Sequence, residues 1–338
     1  MKRALLSFCL ISLLLMISCG EHKKRTSGEP LEPLEIGVMA SMDGFPFLVA
    51  ADKGIYDSLG LKVNFTVYLT ETERNADFEA HKLDGVVTDY PNAIFLQSKG
   101  IPLRSVMQND GYLCLLTNRN SKRNSIKQLK DINIVSSSNS FSDYALDFVL
   151  QKAGISLDRV NQPEINQIPL RMMMLKEKQI EAAFLPDPYA TMAMSSGIRS
   201  LITTEDLNIH QYTTIFSREA LKEKESSVRA LLKGYNLGVD YLARHPEKDW
   251  ADVLINQLKV PEYNVKLIVL PSYHYAQAPN VDEVNKAIVW LKNKKVIKDD
   301  YTGTELVDSS YIEKASREEQ VKNKINKLLK RHVRRKHK

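Results

Sequence analysis

The sequence predicts a two-lobed α/β protein, each lobe a mostly parallel sheet flanked by helices, with a ligand cleft between the lobes. Three observations carry this expectation. Residues 34–67 spell one strand–helix–strand unit, and residues 126–185 repeat the same grammar after a polar, basic connector at 118–125. Four strand-to-helix turns, two in each block, hold residues suited to cap a helix: Ser41 with Asp43, Thr88 with Asp89, Ser136 with Ser140, and Asp187. Alternating strands and helices imply parallel sheet, which binds ligands beyond the carboxyl ends of its strands, where such turns lie. A chain of 338 residues is long enough for two lobes, and 43% apolar with 26% charged residues is ordinary for a soluble globular protein.

The amino-terminal segment stands apart. Met1, Lys2 and Arg3 form a basic start, residues 4–17 an apolar stretch too short to span a bilayer comfortably, and Ser18-Cys19-Gly20 follows. Small Ser18 before the cysteine resembles a lipobox, although Met16 stands where leucine is usual. The reading is a signal peptide over 1–18, lipidation of Cys19, and a lipidated tether over 19–33 rich in charge, Gly, Pro, Ser and Thr. A plain signal peptide or an uncleaved anchor is the other reading of the same residues.

In the first block, residues 36–40 are an apolar strand. Phe47, Leu48, Ala51 and Ile55 then recur at helical spacing, and Gly54 and Gly60 end that helix. Leu61, Val63, Phe65 and Val67 alternate as a strand does. Asp43 is expected to cap the helix, so that free helix N–H groups face whatever lies beyond the strand end. A helix over 72–82 leads to a strand at 84–89, and Asp89 is a second expected cap, with Pro91 in the first turn. Strands follow at 105–107 and 111–117.

The second block holds a short helix at 126–129, a strand at 132–135 and a helix over 141–152. Ser140 and Asp143 have the spacing of a capping box. A strand at 165–168, a helix over 169–178 and a strand at 180–185 run into Asp187-Pro188, a strong helix start. Residues 211–216 alternate and carry the chain back. Helices then cover 225–244, 246–258 and 281–292. On this division the first lobe is 34–117 plus 217–318, the second is 118–216, and 319–338 is a basic tail.

Residues 322–338 contain nine Lys or Arg and no Asp or Glu, so the formal charge of +6 owes its sign to the tail. The tail is either a solvated end or a basic amphipathic helix with Ile325, Leu328, Leu329 and Val333 on one face.

Four stretches, in order, resemble the solute-binding proteins of ABC importers: PFLVAADKGIYDSLGLKV after the first turn, DGVVTDYPNA, SIKQLKDINIVSSSNSFSDYALD and IEAAFLPDPYATMA. They are similar to the branch that includes sulfonate, taurine, nitrate and thiamine-pyrimidine binders. The resemblance covers about 34–300 and implies a type II periplasmic-binding-protein fold. It also implies an exported, lipid-anchored monomer on the periplasmic face or cell surface. Its partners would be a small-molecule ligand, ABC permease and ATPase subunits, and the membrane through the N-terminal lipid, with no cofactor.

The turns nominate the ligand-binding residues Ser41, Met42, Asp43, Phe45, Asp89, Tyr90, Ser136, Ser138, Ser140, Phe141, Asp187 and Tyr189. Each one alone is also what a helix cap or a packed core requires; four turns in equivalent places point to a site. Three carboxylates, Asp43, Asp89 and Asp187, argue against a small dianion. They suit a planar ring with amine donors stacked between aromatics, as in the thiamine-pyrimidine relatives, with sulfonate-, taurine- or nitrate-type anions as the alternative.

Catalysis finds little support. None of the seven histidines stands at metal-ligand spacing, and no G-x-S-x-G, C-x-x-C or phosphate loop occurs. A yeast enzyme of this fold makes the thiamine pyrimidine and carries a cysteine-rich motif; beyond Cys9 and Cys19 only Cys114 remains here. Cys114 lies in an apolar run with nothing near it in sequence to lower its pKa, so it is expected in the core. No metal and no nucleic-acid partner is expected of an exported chain of this kind.

Overall fold

The computed structural model describes residues 30–118 and 121–312. The first block forms β1 (Leu34–Met39), α1 (Phe45–Asp52), α2 (Ile55–Ser58), β2 (Val63–Tyr68), α3 (Glu71–Glu79), β3 (Gly85–Asp89), α4 (Tyr90–Ser98) and β4 (Leu103–Gln108). The second forms β5 (Leu113–Thr117), β6 (Ile134–Val135), α5 (Phe141–Ala153), α6 (Ile168–Lys176), β7 (Ala182–Pro186), α7 (Tyr189–Ser195) and β8 (Arg199–Thr203). The chain then returns through β9 (Tyr212–Ser217) into α8 (Arg218–Glu223), α9 (Glu225–Arg244), α10 (Ala251–Asn256), α11 (Glu262–Val265) and α12 (Val281–Asn293).

Two sheets result, in the orders β2-β1-β3-β9-β4 and β6-β7-β5-β8. Both are mixed rather than mostly parallel. β1 runs parallel to β2 and β3, and β6 to β7, whereas β9 opposes β3 and β4 and β5 opposes β7 and β8. The opposed strands are those by which the chain passes between sheets, so no helical crossover turns them parallel to their neighbours.

This pairing also moves the expected boundaries. Strand β5, placed with the first lobe, belongs to the second sheet; β9, placed with the second lobe, sits inside the first. The crossings therefore fall at 109–112 and 204–211, not at 118 and 216. Alternation marks a strand but does not say which strand it will pair with. The expected strand at 165–168 is absent too: Ile168 opens α6 with Pro169 in its first turn. Strand β8 went unforeseen because Arg199 and Ser200 are exposed and break the apolar signal.

Period-two alternation divides the core. Leu113 and Leu115 of β5 pack with α5, while Cys114 and Leu116 face the opposite cluster. Helix α9 lies close along α1, and glycine makes that approach possible. A Cβ at Gly238 would collide with the Pro46 carbonyl oxygen, and one at Gly234 with the Tyr56 ring. Helix α12 ties the two sides: Trp290 packs edge-on against Tyr144 at 5.4 Å, and Lys294 pairs with Asp143 at 2.7 Å.

Among the described residues, no helix is long and apolar enough to cross a membrane. The segment 1–18, Cys19 and the tail 319–338 lie outside the described residues.

Candidate functional site

Where the carboxyl ends of β1 and β3 meet α5 and α6 lies a partly open cavity of about 30 Å³. Ser41, Asp43, Glu71, Arg74, Thr88 and Asp89 form the first-sheet wall. Leu113, Phe141, Ser142, Ile168, Arg171 and Pro186 face them, with Met39 and Tyr212 completing the lining.

Most of the first-sheet wall is hydrogen-bonded within itself. Asp43 does not cap α1: the N-cap is Gly44, with no side-chain cap bond. The Asp43 carboxylate accepts instead from the Ser41 hydroxyl, and its backbone oxygen accepts from Asn109 Nδ2 at 3.1 Å. Asp89 does cap its helix, Oδ1 accepting from Asn92 N at 2.8 Å. Arg74 binds the wall together. Its Nη1 donates to Val87 O at 3.1 Å, and Nη2 to Thr88 Oγ1 at 2.8 Å, Asn92 Oδ1 at 3.0 Å and Asn75 Oδ1 at 3.0 Å.

Burial sets the charge state of this wall. It pushes the Asp43 carboxyl up to about 6, against the pull of the Ser41 hydroxyl and Arg74. It pushes Asp89 up to about 7, with neighbouring Glu71 adding to the rise and the Asn92 N–H and Arg74 opposing it. Glu71 is raised for the same cause. The wall thus holds acceptors that a donor-bearing or cationic guest would satisfy.

The second-sheet wall is built differently. Ser140 caps α5, accepting from Ser142 N at 3.1 Å and donating to Ser137 O at 2.7 Å. The expected capping box is displaced by one residue, since Asp143 Oδ2 accepts from Asn139 N at 3.0 Å. The Phe141 ring forms one face of the cavity, edge-on to Tyr212 at 5.0 Å, and the Phe141 backbone N–H across the gap is near enough to Asp89 to oppose the rise of its pKa. Arg171, 2% exposed, donates from Nη1 to Phe184 O at 3.2 Å, and its Nε has no protein partner.

Of the twelve nominated residues, Ser41, Asp43, Asp89 and Phe141 line the cavity. The others lie outside the lining. Met42 donates from N to Asp187 O at 3.0 Å, a bond between the two sides, and its oxygen accepts from Tyr273 at 2.7 Å. Phe45 packs edge-on against Trp250, and the buried Tyr90 hydroxyl accepts from Asn280 N. Asp187 holds Thr191 N and the Tyr112 hydroxyl, so its carboxylate is spent on α7 and the wall. Ser136 and Ser140 are buried behind the lining, Tyr189 joins the core, and Ser138 is not among the lining residues.

Sequence reasoning missed Glu71, Arg74 and Arg171. Their signal was available. Ile168, Arg171 and Leu175 are the buried positions of α6, and Arg74 shares the buried face of α3 with Phe78. A lone arginine on an apolar helical face marks a buried charge that must be answered by something. With two guanidiniums present, the case that carboxylates alone disfavour an anion loses its force.

Among the described residues, no cluster of His, Cys, Asp and Glu is arranged to hold a metal ion. Cys114 is buried, and burial pushes its thiol up, away from reactivity.

A family model described as NMT1/THI5 like matches residues 42–249, more than half of the chain. No curated protein matches by sequence. Solved structures do. The periplasmic nitrate-binding protein NrtA from Synechocystis PCC 6803 aligns with a TM-score of 0.74 at 12% identity, over 86% of this chain and 90% of that one. The periplasmic aliphatic sulphonate binding protein SsuA from Escherichia coli gives 0.69 at 17%, over 83% and 99%. The desulfurization enzyme DszB gives 0.63 at 11%, over 85% and 99%. At these identities the likeness speaks for a shared fold, two sheets flanked by helices, used by binders and by an enzyme.

Proposed function

The chain belongs to the NMT1/THI5-like family, and from that premise we propose that it is the extracytoplasmic, lipid-anchored solute-binding component of an ABC importer. A small polar ligand, aromatic or amine-bearing like the thiamine pyrimidine, is captured between the two sheets and passed to permease and ATPase subunits. The cavity carries this reading. Polar turns from both sheets converge on it, with buried Asp43 and Asp89 as acceptors on one side and Phe141 and Tyr212 as an aromatic wall. About 30 Å³ holds no such ligand, so admission requires the two sides to part, a movement for which the crossings at 109–112 and 204–211 serve as hinges.

A binder is favoured over an enzyme because the fold is shared with importer binding proteins for nitrate and sulphonate. A second reading, an anion of the sulfonate or nitrate type, is favoured by the buried guanidinium of Arg171. Anchoring rests on Cys19 after the apolar stretch 4–17. Cys19→Ala should leave the precursor unprocessed or release a soluble form, and equal palmitate labelling of that variant would defeat the assignment.

Calorimetric titration with 4-amino-5-hydroxymethyl-2-methylpyrimidine, nitrate and ethanesulfonate tests the ligand class. The pyrimidine should bind, and Asp43→Asn or Asp89→Asn should weaken it about tenfold to a hundredfold, since a buried donor loses its acceptor at a cost of about 1–3 kcal/mol. Ethanesulfonate binding that ignores both substitutions would move the substrate to the anionic class. Small-angle scattering should show compaction on binding; an unchanged radius in the bound protein counts against closure.

A further inference from the structure

The two ends of the described chain leave the body at one place. Lys224, at the end of α8, donates from Nζ to Pro33 O at 3.0 Å, and the Tyr311 hydroxyl donates to Leu221 O at 3.0 Å. Leu221 and Lys224 are three residues apart, less than a helical turn. The Arg229 guanidinium lies over the Tyr311 ring at 4.9 Å and fixes it beside α9. Pro33 directly precedes β1, and it is the other end of β1, at Met39, that lines the cavity. Six residues of strand put about 20 Å between the cavity and the point of exit.

What continues from there is unlike the body in charge. Residues 30–312 carry 31 Lys or Arg and 36 Asp or Glu, whereas residues 322–338 carry nine Lys or Arg and no acid. A run of cations is drawn to an anionic lipid surface, each one adding to the attraction within a Debye length, while an acid-rich body is repelled by it. Among the cations, Ile325, Leu328, Leu329 and Val333 recur at helical spacing, the pattern that seats an apolar stripe at the headgroup boundary. Cys19 stands fourteen residues before Pro33, so covalent geometry keeps a lipid on it within about 50 Å of the exit. The residues after Tyr311 are numerous enough to span that distance. An anchor so near turns a weak attraction into an intramolecular one.

We propose that residues 322–338 bind anionic lipid headgroups on the membrane that holds Cys19, and so turn the α8 end of the body toward that membrane. The proposal rests on the lipid-anchored reading and adds to it a second, electrostatic contact. Anchor and tail leave from one spot, so both can be engaged at once, and the cavity at the other end of β1 stays open to solute. The rival occupant is the body itself. The groove beside Tyr311 offers the tail no net charge, since Arg104, Arg218 and Lys222 there balance Glu219, Glu223 and Asp308.

The chain from Gly20, which keeps every described element but neither the apolar start nor Cys19, is sedimented with vesicles of phosphatidylcholine, alone or with about one third phosphatidylglycerol. It should bind the anionic vesicles about tenfold or more tightly than the neutral ones, and the difference should shrink as salt rises. A chain that also ends at residue 318 should lose the preference, and Lys330→Glu with Arg331→Glu should cut it about tenfold. Melting curves report separately that each variant is folded. No preference for anionic vesicles, or the same preference in the shortened chain, overturns the proposal. If the full chain ignores vesicles and shortening lowers its melting temperature, the tail is held by the body and the proposal fails. Cys19 is absent from these chains, so palmitate labelling of the whole precursor judges the anchor independently. Vesicle binding without labelling defeats the anchor alone, and labelling without vesicle binding defeats the tail contact alone.

Discussion

Arg74 and Arg171 face one cavity from opposite walls, each buried to within 2% exposure, and they are treated very differently. Arg74 donates to Val87 O, Thr88, Asn92 and Asn75 and has three carboxyl groups around it. Arg171 reaches one carbonyl. Burial lowers the pKa of both, so each is held charged against the same desolvation penalty. Folding satisfies the first guanidinium and leaves the second with a single partner, while Asp43 and Asp89 keep the first wall in the proposed recognition as well.

The largest test of that contrast is a pair of methionine substitutions. Arg74→Met removes the countercharge and several donors from a buried network, and denaturant unfolding at neutral pH should show a loss of about 3–5 kcal/mol. Arg171→Met removes an under-paired charge and keeps an apolar stem, so stability should change by less than about 1 kcal/mol in either direction. Equal, large losses in both variants would erase the distinction between the walls.

The next effect is on pH. Asp43 and Asp89 are raised in the folded protein to about 6 and about 7 from an ordinary carboxyl value of 3.8. Between that ordinary value and these raised ones the folded state binds more protons than the unfolded chain. Stability therefore falls as pH rises through about 4 to 7, and this contribution is flat above that window. Facing groups Glu71, Arg74 and Arg171 share the cavity, which makes Asp89→Asn the informative control. Unfolding free energy between pH 4.5 and 8 should decline in the wild type, by an amount on the order of 5 kcal/mol, and decline less in Asp89→Asn. Parallel curves would show that Asp89 does not titrate in this window.

The smallest effect sharpens the picture of how the walls are brought together. Lys294 reaches Asp143 at 2.7 Å and Asp147 at 3.4 Å from beyond the end of α12, and it is partly exposed. Lys294→Ala should cost no more than about 1 kcal/mol, but should favour separated walls, read as a larger radius in small-angle scattering without ligand. A change in melting with no change in radius would make the pair a simple surface contact.

Much of this site is legible in short stretches of sequence. Asp89 as a cap, the polar turn at Ser41 and Asp43, and Phe141 at a helix start all follow from local rules, because a cap and its helix lie within four residues of each other. The same rules overreached at Asp43, whose carboxylate turned to Ser41 rather than to α1; at Asp187 the cap formed, Oδ1 accepting from Thr191 N, while Oδ2 was taken by the Tyr112 hydroxyl. Capping chemistry and ligand-binding chemistry use the same groups. Which use prevails depends on what stands opposite.

What the chain determined by itself is its run of strands and helices, the polar turns between them, and the apolar faces on which they pack. These depend on periodicity and on contacts a few residues long. Only the tertiary structure decided that β5 and β9 exchange sheets, that Glu71 and Arg171 share a cavity, and that Arg74 is satisfied while Arg171 is not. Pairing partners and charge balance are sums over groups distant in sequence, and no local pattern encodes such a sum. A buried arginine announces that it needs a partner; the fold alone reveals whether the protein supplies one.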